Sequence, residues 1–353
     1  MHLDLRHILL LAQLLLLGSP IYSENSQPAA TPSAQITADG TAIVTRIVPV
    51  PKTISREAQE YLSKTSPDSA SRQNLQQRRE AMEKWAADMG AEALKLYPVN
   101  TATDTVAGVP VRVITPVTIA PGNASKVLIN LHGGGFRFDA GSLSESIPIA
   151  NLSGIKVVSV LYRLLPDNKF PAAIDDAVAV YKELIKTYQP GKVGIYGTSA
   201  GGALTAQVAA QIRKLNLPLP GAFGIFASGG DASMAGDSEA LFDLKGLSEP
   251  IDPAGLNDLD TDYMGAADPR NPVLSPLYSD LTGFPPTLFI TSSRDVVLSA
   301  TTILHRAFLR AGVDAQLIVF EALPHAFWHN PDVPESKEAN KFIAEFFAQH
   351  LGR

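Results

Sequence analysis

Two glycine-rich turns, each fed by an apolar run, constrain this 353-residue chain more than any other feature. Val127-Leu128-Ile129-Asn130-Leu131 leads into His132-Gly133-Gly134-Gly135, and Val193-Gly194-Ile195-Tyr196 leads into Gly197-Thr198-Ser199-Ala200-Gly201-Gly202. Short apolar runs bounded by turn residues read as buried strands. The second turn has the G-x-S-x-G spacing of a nucleophile elbow, where a serine sits on a tight strand-to-helix turn with its hydroxyl exposed. Glycine two before and two after the serine lets the chain double back without a side-chain clash. The first turn offers backbone N–H groups able to hold a developing oxyanion. A G-x-S-x-G spacing arises by chance in roughly one chain in ten of this length. Paired with His-Gly-Gly-Gly, each after a strand and in this order, it points to a serine nucleophile.

The rest of the chain supplies a scaffold of matching rhythm. From Thr105 onward strand-like runs at 109–115, 126–131, 156–162, 193–198, 222–228, 286–291 and 315–320 alternate with helical stretches at 171–187, 200–215, 299–311 and 335–350. That alternation predicts an α/β fold with a mostly parallel sheet and helices on both faces. Ahead of it, 53–97 reads as helical, with Thr53 or Ser55 as a cap. Leu75, Met82, Trp85, Met89, Ala93 and Leu96 recur there at helical spacing. Such a stripe is ordinarily core packing. The segment 232–283 breaks the rhythm with many Gly, Pro and Asp residues.

A serine needs a base, and the base an orienting partner, in the chain order Ser, acid, His for this topology. Asp295 follows the run Pro286–Thr291, and His325 follows Leu317–Phe320. Both stand where strands end and loops begin, the side of an open α/β sheet where ligands bind. The rival base is His329, four residues further along, with Phe327-Trp328 between the two histidines. The rival acid is Asp231, after Gly229-Gly230, where a turn role is the plainer reading. Glu321 and His132 read as structural, and His305 lies inside a helix. The oxyanion donors expected are the N–H groups of Gly134, Gly135 and Ala200. No His/Asp cluster suggests a metal, no cofactor is expected, and neither G-x-x-x-x-G-K-[ST] nor G-x-G-x-x-G occurs.

These residues resemble the bacterial hormone-sensitive-lipase-like esterases of the α/β-hydrolase superfamily. Tyr162-Arg163-Leu164-Leu165-Pro166, then Phe170-Pro171-Ala172-Ala173 and Asp175-Asp176, look like that family's Y-R-L-A-P…F-P-A-A…D-D block. Ser275-Pro276-Leu277 and Pro285-Pro286-Thr287 resemble the approach to its acid-bearing strand. The chain departs in having Thr198 where Asp is commoner before the nucleophile, and Asp295-Val296-Val297-Leu298 where D-P-L-R is usual. The resemblance implies an α/β-hydrolase fold with a helical cap and cleavage of small carboxylic esters of short to medium acyl chain through an acyl-enzyme. It places Trp85 or Met89 within reach of substrate. Thr198 also looks like sequences that open monoterpene ε-lactones, so a lactone hydrolase is the alternative, ahead of an amidase. A non-catalytic small-molecule receptor of this family would lack a triad member, and here all three are present.

Composition sets the remaining bounds. A net charge of −6 with no basic cluster argues against a nucleic-acid partner. The run Ile8–Leu17, preceded by Arg6 and broken by Gly18-Ser19-Pro20, reads as a signal peptide over 1–23. At ten residues it is short of the ~20 that span a bilayer, so no membrane span is expected after cleavage. The absence of cysteine suits an oxidising compartment. The expected location is periplasmic or secreted. Residues 24–40 read as a disordered linker, 41–104 as an N-terminal helical cap segment, and 105–353 as the catalytic domain with a cap insertion at about 232–283. The sequence leaves a homodimer open.

Overall fold

The structure, a computed structural model, describes residues 33–64, 75–119, 121–233, 236–242 and 263–352. The expected signal peptide lies outside the described residues. The chain divides into two units, 1–49 and 50–353. In the first, β1 (Ser33–Ile36) and β2 (Ala42–Thr45) form an antiparallel hairpin with Ser33 opposite Thr45. This corrects the expected disordered linker over 33–40; residues 24–32 are outside the described residues. The local cause is the Asp39-Gly40 turn. Gly40 has φ 90°, and the Asp39 carboxylate accepts the Thr41 N–H at 3.1 Å.

The second unit is built on an eight-stranded sheet in the order β10-β9-β8-β7-β5-β6-β4-β3. Strands β5 (Val127–Leu131), β6 (Lys156–Val160), β7 (Val193–Thr198), β8 (Ala222–Phe226), β9 (Thr287–Ser292) and β10 (Ala315–Phe320) run parallel. At the far edge β4 (Val109–Pro116) pairs antiparallel with both β6 and β3 (Val99–Val106). Helices α1 (Arg56–Ser63), α2 (Leu75–Leu96), α3 (Ser146–Ser153), α4 (Ala172–Leu184), α5 (Ala200–Lys214), α6 (Asp237–Phe242), α7 (Leu298–Arg310) and α8 (Pro334–His350) complete it. This is the expected α/β fold with a mostly parallel sheet.

The period of two in the strands decides which helices cover which face. Val127, Ile129 and Leu131 of β5 and Phe289 of β9 join Ile174 of α4, Leu204 and Val208 of α5, and Phe308 of α7 in one core. Their neighbours Leu128, Leu288 and Ile290 join Ile147 of α3 and Ile343 and Phe347 of α8 in the other. Both faces of the central strands are thus buried, which is why β5, β7, β8 and β9 show no exposed residue.

The helical segment expected over 41–104 needs correction. Helices α1 and α2 occupy part of it, but Val99–Val106 is the edge strand of the sheet, turning into β4 through Ala107-Gly108, both at positive φ. Its Asn-Thr-Ala-Thr-Asp-Thr stretch is exposed, so the sequence carries no apolar periodicity to reveal it. Ser55 is the cap of α1, accepting the Ala58 N–H at 3.0 Å. The Glu335 carboxylate holds both the Ser55 N–H (2.7 Å) and its hydroxyl (2.8 Å), fixing α1 to the start of α8. Within the expected insertion, α6 is helical, and residues 243–262 lie outside the described residues. Among the described residues no helix is long and apolar enough to cross a membrane.

Candidate active site

Ser199 stands between β7 and α5 at φ 58° and ψ −123°, a sparsely populated region for a residue with a side chain. Its N–H donates to Phe226 O of the neighbouring strand at 2.9 Å, and its carbonyl accepts Ala203 N–H at 3.0 Å as the helix begins. A Cβ on Gly197 or Gly201 would overlap the Leu131 carbonyl oxygen, so the turn closes against β5 only with glycine at both positions. The strain is therefore held by the sheet on one side and the helix on the other. It presents the hydroxyl at the positive end of the α5 dipole.

Asp295 and His325 come together as the sequence predicts. His325 Nδ1 lies 2.7 Å from Asp295 Oδ1 with both side chains buried. Asp295 Oδ1 also accepts the Val297 N–H at 3.0 Å, and Oδ2 accepts the Thr291 hydroxyl at 2.9 Å. The carboxylate is thus oriented from the end of β9 and the start of α7. His325 Nε2 is buried and without a hydrogen-bond partner among the described residues, so the serine hydroxyl is not bonded to it in this structure. Contacts of this kind often tighten only when substrate is bound.

The rivals separate on geometry. His329 Nδ1 meets Ser144 Oγ at 2.8 Å, and its ring packs against Trp85 at 5.8 Å. Burial drives it down from 6.5 to about 3, with nearby His325 as the lesser cause, so it stays neutral and occupied. Asp231 accepts Ser233 N–H and Oγ–H on one oxygen and the Tyr278 hydroxyl on the other, the turn role expected of it. His132 bonds Gly133 O through Nδ1 at 2.8 Å and stacks on Tyr162 with ring centres 4.2 Å apart, ordering the glycine loop. Glu321 meets Ser293 Oγ at 3.3 Å, and His305 meets Ala315 O at 3.2 Å. Phe327 and Trp328 are buried in the core cluster that also holds Ile54, Ala58 and Ala93. Trp328 packs edge-on to Phe226 and donates its indole N–H to Thr198 Oγ1 at 3.2 Å.

Gly134 and Gly135 follow β5 at φ 116° and 60°, and no acceptor among the described residues takes either N–H. Ala200 opens α5, where a first-turn N–H has no intrahelical partner. A cavity of about 170 Å3 joins the elbow to this loop, lined among others by Gly135, Ser199, Ala200, Gly229, Val296 and Ala300. Phe136 and Tyr263, stacked with ring centres 3.8 Å apart, are also in its lining, and the Tyr263 hydroxyl is bonded to Gln207. Trp85 and Met89 are not among its lining residues. Among the described residues no group of acidic, histidine or cysteine side chains is placed to hold a metal.

One buried group has no counterpart in the sequence reading. Glu145, at the N-terminal edge of α3, directs its carboxyl under the glycine loop, where Oε1 accepts Gly133 N–H (3.0 Å) and Oε2 accepts Asn130 Nδ2–H (2.8 Å). Burial raises it from 4.5 to about 8. His329 Nε2 is 3.7 Å from Oε1, too long for a hydrogen bond. Burial favours the neutral form of each, while the Gly133 and Asn130 donors favour the Glu145 carboxylate. The only signal visible in the sequence is an acidic residue in Ser144-Glu145-Ser146 immediately before the apolar Ile147-Pro148-Ile149-Ala150.

Comparison with known proteins places the fold among known ones. A family model described as the alpha/beta hydrolase fold matches residues 128–329. An acetyl-hydrolase of Streptomyces hygroscopicus is 31% identical over 234 residues, covering 64% of this chain and 77% of that protein. An esterase of Acinetobacter venetianus is 26% identical, covering 64% and 76%. Among solved structures, esterase E25 superposes with a TM-score of 0.79 at 32% identity, over 88% of this chain and 98% of its own. An esterase of the bacterial hormone-sensitive lipase family gives 0.72 at 28% identity, over 84% and 99%. The chain belongs to the hormone-sensitive-lipase-like esterases of the alpha/beta hydrolase superfamily.

Proposed function

We propose that this ester hydrolase uses Ser199, His325 and Asp295 as a catalytic triad on carboxylic esters of short acyl chain. The observation that carries the reading is the buried Asp295–His325 contact at 2.7 Å, which leaves Nε2 unpaired in a loop bonded to the residue before the serine. In the first half-reaction Ser199 Oγ attacks the ester carbonyl carbon as its proton passes to His325 Nε2. Asp295 holds the ring by Nδ1 and stabilises its charged form. The carbonyl electrons move onto oxygen, met by the N–H groups of Gly134, Gly135 and Ala200. Losing one such donor typically costs about 100- to 1000-fold. Collapse breaks the C–O bond, and the leaving alkoxide takes the proton from His325. Water then gives a proton to His325 and its oxygen to the acyl carbon. Release of the acid returns the proton to Ser199.

The acyl-chain assignment rests on the cavity. At about 170 Å3 it is smaller than the ~300–1,000 Å3 of most ligand pockets, and the stacked rings of Phe136 and Tyr263 line it. A relative named acetyl-hydrolase accords with that. Thr198 gives no ground for the lactone alternative, since its side chain is buried, bonded to Trp328 and absent from the pocket lining. The apolar run Ile8–Leu17 and the absence of cysteine support export to the periplasm or medium. Cell fractionation reads that directly.

The test is turnover of p-nitrophenyl esters from acetyl to palmitoyl, with Ser199→Ala alongside. Activity greatest at acetyl to butyryl and lost in the variant is expected. A palmitoyl optimum sinks the chain-length assignment, and turnover surviving in Ser199→Ala sinks the triad.

A further inference from the structure

We propose that Glu145 is a positioning residue for the reaction, holding the Gly133 amide so that the next two peptides of the loop face the ester oxygen. This rests on the oxyanion hole assigned above and names what sets it.

The loop's orientation can be followed peptide by peptide. The His132–Gly133 peptide is pinned at both ends: the Tyr162 hydroxyl donates to His132 O at 2.6 Å, and the Gly133 N–H donates to Glu145 Oε1 at 3.0 Å. In a trans peptide the C=O and N–H point oppositely, so fixing a carbonyl also aims the following amide. Gly133 O accepts His132 Nδ1 and Ala140 N–H, which aims the Gly134 N–H away from both. Gly134 O accepts Arg137 N–H and Phe138 N–H, which aims the Gly135 N–H in turn. Gly133 is the first amide of this series, and Glu145 is its acceptor.

The carboxyl is itself placed by a built pocket. Ser159 Oγ–H donates to Asn130 Oδ1 at 2.6 Å, which turns Asn130 Nδ2 towards Glu145 Oε2. A Cβ on Gly141 would overlap the Glu145 carboxyl, so the side chain fits only because that position is glycine. A Cβ on Gly133 would lie 3.0 Å from Thr198 O, 3.5 Å from Glu145 Oε1 and 3.6 Å from Ser199 Cβ, so the loop passes beside both the nucleophile's turn and the carboxyl. A movement of Glu145 reaches the hole without any intervening side chain.

Two of the donors facing Glu145, Gly133 N–H and Asn130 Nδ2–H, suggest an exchange that separates positioning from bulk packing and leaves the Thr198 hydroxyl, a further partner of the carboxyl, in place. In Glu145→Gln the single amide oxygen cannot serve both Gly133 N–H and Asn130 Nδ2–H. Adding Asn130→Asp to Glu145→Gln restores the polarity. The introduced amide then accepts Gly133 N–H on its oxygen and donates from its nitrogen to one oxygen of the introduced carboxylate. Ser159 donates to the other oxygen of that carboxylate. The experiment measures kcat and KM for p-nitrophenyl acetate, and affinity for a trifluoromethyl ketone that forms the tetrahedral adduct. It compares wild type, Glu145→Gln, Glu145→Ala, the double variant and Ser199→Ala. Near-UV circular dichroism establishes that each is folded.

Glu145→Gln is expected to lower kcat about 10- to 100-fold, the scale of a misplaced catalytic group, with KM within about twofold. Ketone affinity should fall in parallel, and the double variant should recover most of the loss. A kcat within about twofold of wild type in Glu145→Gln overturns the proposal even if Glu145→Ala does not fold. So does a kcat loss that leaves ketone affinity unchanged, or one that the double variant fails to recover. Turnover that persists in Ser199→Ala would instead overturn the triad on which the proposal rests.

Discussion

Trp328 donates its indole N–H to Thr198 Oγ1 at 3.2 Å, joining the loop that carries His325 to the residue that precedes Ser199. Thr198 closes β7 and Trp328 follows His325 by three positions, so one hydrogen bond spans two elements far apart in the chain. Replacing Trp328 by Phe keeps a ring against Phe226 but removes the donor. The expected cost is about 1 kcal/mol of stability and roughly tenfold in kcat, through displacement of His325. Urea midpoints and steady-state kinetics on the same samples check both. A stability loss with kcat unchanged would show that the bond serves the fold alone.

Asp295→Asn retains the shape of the acid but favours the wrong imidazole tautomer. Its kcat should fall by about 10⁴, with little change in fold, because Val297 N–H can still be accepted by the amide oxygen. A loss under tenfold would remove Asp295 from the triad.

The cavity's aromatic lining gives a specificity prediction. Tyr263 stacks on Phe136 and bonds Gln207, so Tyr263→Ala should open the pocket and move the preferred ester from short chains towards longer ones. The ratio of kcat/KM for octanoyl over acetyl ester reads this, and an unchanged ratio would place the acyl chain elsewhere.

The buried Glu145 and His329 make opposite contributions to stability against pH. Glu145 keeps its proton up to about 8 when folded, whereas the unfolded chain loses it near 4.5, so stability falls as pH rises between those values. His329 stays neutral down to about 3 when folded, while the unfolded chain protonates near 6.5, so stability falls as pH drops from 6.5 towards 3. At ~1.4 kcal/mol per pKa unit each contribution is a few kcal/mol. Glu145→Gln should flatten the alkaline side relative to wild type and His329→Gln the acid side, in urea melts from pH 4 to 9. Parallel curves for variants and wild type would contradict both.

The legible parts of this molecule are those whose chemistry is local. The elbow declares itself because Gly197 and Gly201 must let the turn close on β5, and the central strands because burial on both faces leaves a continuous apolar run. Asp295 and His325 are legible because they stand just after such strands. The edge strand Val99–Val106 is not, since its exposed polar residues carry no period and its partner β4 lies beyond a two-residue turn. Glu145 is hidden for another reason. Its contacts, Asn130 and Gly133 at the end of β5 and His329 near the end of the chain, lie outside its own stretch, and nothing in its own neighbourhood has the spacing of a motif. The environment of Trp328 is likewise set by contacts distant in sequence, since it packs edge-on to Phe226 and bonds Thr198.

The central claim, that Ser199 forms the acyl-enzyme with His325 as its base, is tested most directly by covalent labelling with a fluorophosphonate followed by peptide mass mapping. The account predicts one label, on the peptide containing Ser199, absent in Ser199→Ala and slowed by several orders of magnitude in His325→Ala. Labelling that persists in Ser199→Ala, or proceeds at the wild-type rate in His325→Ala, would contradict it.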